Sequence, residues 1–187
     1  MSADAERISG RHAQERRAYM PKAQSSEWET PAALFEALDA EFGPFTCDPA
    51  CTPEQHSARM ISLRGGTIII NPTWHADENF RRDGLLHDWS GVVYLNPPYG
   101  RGMPRWIEKA VSEIEAGNCE RVVALIPART DTSAWQKFIL REAAYDCMGA
   151  HGAIMLVRFL AGRVRFVGAA GNAPFPSAIV MWERMTP

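Results

Sequence analysis

Two periodicities of apolar residues run along this chain, and each predicts its own kind of element. In SSEWETPAALFEALDAEFGP, from residue 25, Leu34, Phe35, Leu38 and Phe42 recur at helical spacing. Thr30 suits the N-cap, Pro31 the first helical position, and Gly43-Pro44 the stop. A second helix is predicted over residues 104–116, where Ile107, Ala110, Val111 and Ile114 share a face and Gly117 ends it. A third is predicted from residue 133 to about residue 144, capped by Asp131 or Thr132. Short β-branched or alternating runs predict strands at residues 45–47, 67–70, 92–95, 121–126, 154–159, 163–167 and 177–182. The last two of these are expected to pair antiparallel. The polar stretch 71–90 reads as a long loop with one helical turn. Strands alternating with helices, then an antiparallel finish, predict a single open α/β sheet, mostly parallel, with antiparallel C-terminal strands.

Composition narrows this picture. With 187 residues, 46% of them apolar, the chain suits one domain with one core. Residues 1–26 are polar, with Arg7, Arg11, Arg16, Arg17 and Lys22 against three acids, and read as a disordered arm, either simply solvated or helping to hold nucleic acid; residues 27–187 form the domain. A formal charge of −2 and a pI near 6.2 exclude a generally basic surface, so any nucleic-acid contact must come from a local patch. Four cysteines are too few for a disulfide scaffold, the start lacks the apolar core of a signal sequence, and no apolar run approaches the ~18 residues of a membrane span. The expectation is a cytoplasmic protein with free thiols and no membrane contact. Cys47, Cys51, His56 and His75 do not have the spacing of a paired-cysteine zinc site, so no metal is expected.

The unusual chemistry begins where the most apolar strand stops, in GVVYLNPPYGRGMPRW. Pro97 and Pro98 lack backbone N–H groups and have fixed φ, and Asn96, preceding a proline, is pushed into an extended conformation. The product is a stiff loop. It is expected to expose the Asn96 side-chain carbonyl, the backbone carbonyls of Pro97 and Pro98 and the face of Tyr99, which suits a flat molecule bearing an NH2 group. In open α/β sheets ligands bind outside the carboxyl ends of the strands. Asp48-Pro49, Asn96 to Tyr99 and the stretch from Pro127 to Thr132 all follow strands and are expected to share one rim. A strand-to-helix turn is the plain alternative for the Asn-Pro-Pro-Tyr loop, as a helix cap is for Asp48. Trp106 and Trp135 are expected to be core, and Trp89 either to close a pocket or to pack.

These residues are recognisable. EWETPAALFEAL, FTCDPAC, DGLLHDWSGVVYLNPPYGR, VVALIPARTDTSAWQ, FLAGRVRF and APFPSAIVMW resemble, in order, the short phage and prophage DNA adenine-N6-methyltransferases of the Dam-like type, over about residues 26–183. The resemblance implies a Rossmann-like domain that uses S-adenosylmethionine to methylate N6 of adenine in DNA, and a setting in restriction-modification. It implies that Asn96, Pro97, Pro98 and Tyr99 are catalytic and that the cofactor meets Trp28, Thr30, Pro31, Asp48, Pro49 and Asp83. Arg101, Arg105, Arg129, Thr130, Asp131 and Arg163 are then candidates for DNA contact, together with Arg165. The sequence departs from the related pattern after Asp48, where Pro49-Ala50-Cys51-Thr52-Pro53 has no glycine in the turn. Two rivals stay open: methylation of an RNA base or a protein glutamine, and a catalytically silent relative that binds DNA or S-adenosylmethionine.

Overall fold

The computed structural model describes residues 28–51, 84–140 and 153–185. The strand expected at 67–70, most of the 71–90 loop, the N-terminal arm and Asp83 lie outside these residues. Helix α1 runs Ala32–Phe42 and buries Phe35, Leu38 and Phe42, three of the four positions its periodicity marked, with Leu34 half-buried. Its start differs from expectation. Pro31 occupies the N-cap without any side-chain cap bond, and its carbonyl accepts from Leu34 and Phe35. Thr30 is 4% exposed and its hydroxyl is spent elsewhere.

Strand β1, Gly91–Leu95, is followed by helix α2, Met103–Glu115, and strand β2, Cys119–Pro127. Gly117, at φ +76°, turns the chain between them in the left-handed conformation that a glycine adopts without strain. A single α-helical turn, α3, Ser133–Trp135, passes into a π-helical stretch over Gln136–Leu140, and the remainder of the predicted helix lies outside the described residues. Its cap is Thr132, not Asp131: the Thr132 hydroxyl accepts from Trp135 N. Strands β3, Ala153–Phe159, and β4, Ser177–Arg184, complete the sheet.

The order is β1-β2-β4-β3. β1 and β2 are parallel, whereas β4 is antiparallel to both β2 and β3. Among the described residues the sheet is therefore mixed, with one parallel pairing in three, and not mostly parallel. The antiparallel partner of 177–184 also differs from expectation. It is β3, with Phe159 opposite Ala178; residues 163–167 form no strand, only a bridge from Val167 to Glu29. Alternation in Arg163–Val167 reports burial of Phe166 between exposed arginine and valine in an irregular connection, which mimics a strand pattern. Residues 45–47 lie parallel beside β1 through the Cys47–Val93 bridge.

Register assigns the two faces. Arg121, Val123 and Leu125 share a face with Glu183, Met181 and Ile179, and Arg158 opposes Ile179 on it. The end of α1 covers this face: Arg121 donates to Phe42 O and pairs with Glu183, and Arg158 pairs with Glu41. The opposite face carries Ala178 and Phe159, and the Phe159 ring stacks on Trp135 of α3 at 6.2 Å. Helices on both faces make the sheet a buried layer, which is why β1, β2 and β4 are nearly all apolar.

Candidate active site at the carboxyl rim

Parallel alignment of residues 45–47, β1 and β2 brings their three carboxyl ends to one rim, as the sequence pattern anticipates. β3 runs the same way as β2, because both are antiparallel to β4, so the connection from Leu160 to Pro176 also starts there. That connection carries Phe166 and Phe175, both buried.

Asn96 leaves β1 at this rim. Its amide nitrogen donates to Trp28 O and, at 3.0 Å, to the Thr30 hydroxyl. Thr30 Oγ1 lies in turn 2.6 Å from the hydroxyl of Tyr94, a residue with no exposed surface. Trp28 O is only an acceptor, so the amide must present its nitrogen to it. Asn96 Oδ1 therefore faces the other way, and it is buried with no hydrogen-bond partner among the described residues. A buried acceptor left unmade costs about 1–3 kcal/mol, the signature of an atom waiting for a donor.

Tyr99 corrects one expectation. Its ring is not a free plate but 7% exposed, with its hydroxyl donating to Leu125 O at 3.1 Å and its edge or face against Phe166 and Phe175, at 5.9 and 5.4 Å between ring centres. Burial pushes the phenol well above its usual range, so it stays a neutral donor. Trp28 leans on the same two phenylalanines, at 5.3 and 5.5 Å. Pro97 is buried and Pro98 exposed.

Asp48 follows directly on the Cys47 bridge, 2% exposed, and its Oδ1 accepts from Ala50 N at 3.2 Å. No described helix begins there. The turn after it is tied down by Gly84 rather than by glycines of its own: a Cβ at Gly84 would lie 2.1 Å from Pro49 O, so only glycine lets the two segments touch. Trp89 packs, stacked on Trp106 at 6.2 Å and donating to Gly84 O at 2.8 Å; Trp106 and Trp135 are core as expected.

Arg101 and Arg105 at the start of α2, Arg129, Thr130 and Asp131 after β2, and Arg163 and Arg165 after β3 are all exposed. None of these five arginines has a carboxylate partner among the described residues. The structure thus joins Trp28, Thr30 and Asn96 by hydrogen bonds and sets Asp48 at the end of the segment beside β1, while the exposed arginines, Thr130 and Asp131 lie on loops and a helix start that follow the strand ends. Sequence reasoning missed Tyr94, Phe166 and Phe175; the only signal for the two phenylalanines was their place in the FLAGRVRF and APFPS blocks. No cluster of three or more His, Cys, Asp or Glu suited to a metal occurs among the described residues, whose Cys47 and Cys119 are free thiols. No helix among them is long and apolar enough to cross a membrane.

The fold is similar to that of a protein from Pyrococcus horikoshii proposed to be an RNA methyltransferase, with TM-score 0.51, 13% identity, and coverage of 89% of this chain and 91% of that one. At that identity the likeness is one of fold. The family model for DNA N-6-adenine-methyltransferase (Dam) matches residues 17–185, and the chain belongs to that family. It is an adenine-specific DNA methyltransferase that acts on the N6 amino group. No curated protein matches the sequence.

Proposed function

We propose that the methyl donor is S-adenosylmethionine, bound in a Rossmann-like pocket at this rim, and that Asn96, Pro97 and Tyr99 hold the target adenine. The single observation that carries this reading is Asn96 Oδ1, buried, unpartnered and turned away from the two acceptors that hold its amide nitrogen. An exocyclic NH2 group is the donor it lacks. The adenine N6 lone pair is delocalised into the ring and is a poor nucleophile. Hydrogen bonds from N6 to Asn96 Oδ1 and to the Pro97 carbonyl favour a more pyramidal nitrogen and fix its direction. Pro98 keeps the loop rigid, and Tyr99 supports the site from within the aromatic cluster of Phe166 and Phe175. A base within a duplex cannot reach these groups, so it is extruded, at a cost of a few kcal/mol.

The residues present fit the donor. Asp48 supplies a buried carboxylate for a cationic amino-acid end, beside β1 at the same rim as Asn96. Thr30, Pro31, Pro49 and Asp83 complete the proposed holders, the Gly84–Pro49 contact standing in for a glycine-rich turn. When bound, the donor supplies a methyl carbon already activated on a sulfonium, a chemistry that asks for no metal and no strong base. Arg101, Arg105, Arg129 and Arg163, with Thr130 and Asp131, track the DNA backbone and flanking bases. The family's setting in phage or prophage restriction-modification, in a bacterial cytoplasm, follows the same reading.

The test is incubation with methyl-labelled S-adenosylmethionine and DNA, RNA and protein acceptors in parallel, followed by nucleoside and amino-acid mass analysis. Label is expected in N6-methyladenine of DNA, falling by at least about 100-fold in Asn96→Ala while far-UV circular dichroism is unchanged. Full turnover by that variant refutes the role of Asn96, and label confined to RNA or glutamine moves the acceptor.

A further inference from the structure

The rim holds a second buried polar atom that the proposed roles leave unused. Trp28 Nε1 is a donor with no hydrogen-bond partner among the described residues. It belongs to the residue whose backbone carbonyl anchors Asn96, and its ring rests on Phe166 and Phe175, the same pair that holds Tyr99. The residues joined through this cluster thus hold a buried orphan acceptor, Asn96 Oδ1, and a buried orphan donor, Trp28 Nε1.

We propose that Trp28 is a specificity-determining residue whose indole N–H donates to a ring nitrogen of the target base, so that Trp28 and Asn96 together read the polarity of the base edge. The inference rests on the reading of Asn96 as the group that receives N6. It moves Trp28 from the cofactor side, where family resemblance places it, to the base side, because its ring shares its packing with Tyr99. Adenine carries an N6 donor flanked by ring acceptors N1 and N7, which complements the pair. Guanine and thymine present a carbonyl where adenine has NH2. Against them Asn96 Oδ1 would face an acceptor, and both buried atoms would stay unsatisfied or opposed, which is the kind of mismatch that discriminates strongly. Guanine N1–H and thymine N3–H would likewise set a donor against Trp28 Nε1. Two orphan atoms of opposite polarity therefore reject keto bases without any charged group in the pocket.

The experiment uses the full chain and random-sequence single-stranded DNA containing adenine, 7-deazaadenine or 1-deazaadenine. Each analogue keeps N6 and deletes one ring acceptor. Wild type is expected to lose about 10- to 100-fold in kcat/KM on one analogue and much less on the other. Trp28→Phe keeps an aromatic ring against Phe166 and Phe175 but has no N–H. It is expected to lose a similar factor on adenine and to show no further loss on the sensitive analogue, as a shared contact requires. Equal wild-type rates on both analogues overturn the proposal without reference to any variant, so a poorly folded Trp28→Phe does not shelter it. Losses that multiply between variant and analogue also overturn it. Calorimetry with S-adenosylmethionine supplies a separate readout: unchanged affinity in Trp28→Phe is expected, and weakened affinity with no analogue effect returns Trp28 to the cofactor. Wild type that labels no adenine in DNA at all defeats the functional reading first, and is distinguishable from every outcome above.

Discussion

Thr30→Val tests whether the hydroxyl between Asn96 and Tyr94 positions the amide proposed to receive N6. Valine is close in shape to threonine, so the substitution removes one hydroxyl from a residue that is 4% exposed and leaves packing largely intact. Two hydrogen bonds go with it, from Asn96 Nδ2 at 3.0 Å and with Tyr94 OH at 2.6 Å. At about 0.5–1.5 kcal/mol each, the loss is about 1–3 kcal/mol of stability. For a chain of this length each kcal/mol lowers Tm by about 2–4 °C. The effect on turnover is separate. Asn96 keeps one anchor, Trp28 O, and its amide can then pivot about it, so Oδ1 spends less time in the direction that N6 requires. A fall in kcat of about 10-fold is expected, with KM for S-adenosylmethionine changing less. Thr30→Ser restores the hydroxyl and should restore kcat, while Tyr94→Phe keeps the Thr30–Asn96 bond and should cost stability more than turnover. Thermal denaturation and steady-state kinetics on labelled DNA measure both effects. A Thr30→Val variant that turns over normally, or a Thr30→Ser variant as slow as Thr30→Val, refutes the positioning role.

Other consequences are as direct. Tyr99→Phe keeps the ring in its cluster and removes the bond to Leu125 O, for an expected cost of about 0.5–1.5 kcal/mol in denaturant titration; an unchanged midpoint contradicts the hydrogen bond. Gly84→Ala drives a methyl group into Pro49 O, so the contact must open, and the variant should lose thermal stability and affinity for S-adenosylmethionine together; an unaffected affinity separates the Asp48 turn from the cofactor. Burial pushes the Cys47 and Cys119 thiols from 9.0 up to about 12. The folded state therefore holds protons that the unfolded chain releases above about pH 9, and stability should be level below that pH and decline from 9 toward 12. Denaturation midpoints between pH 8 and 11 that rise would reverse the sign. Removing Arg101, Arg105, Arg129 or Arg163 one at a time should each flatten the dependence of DNA affinity on salt by about one phosphate contact, and an unchanged slope removes that arginine from the interface.

Local sequence determined a good part of this molecule. The helix periodicity of Leu34 to Phe42 and of Ile107 to Ile114, the apolar runs of β1, β2 and β4, and the stiff Asn-Pro-Pro-Tyr loop each follow from spacing and backbone chemistry within a few residues. The common rim was legible as well, because parallel strands put their carboxyl ends together wherever the loops lead. Pairing was not. Arg163 to Val167 alternates like a strand, yet β4 pairs with β3 and β2, since partners are chosen by burial of both faces over a distance that no local window contains. Thr30 looked like a cap for the same reason: its competing partners, Asn96 and Tyr94, lie 66 and 64 residues away. Tyr99 was marked as a stacking plate, but Phe166 and Phe175 arrive from the β3–β4 connection to bury it. Sequence thus marked Asn96 as a candidate, while the direction of its amide, and with it the unpartnered Oδ1, was decided by hydrogen bonds that exist only once distant segments meet.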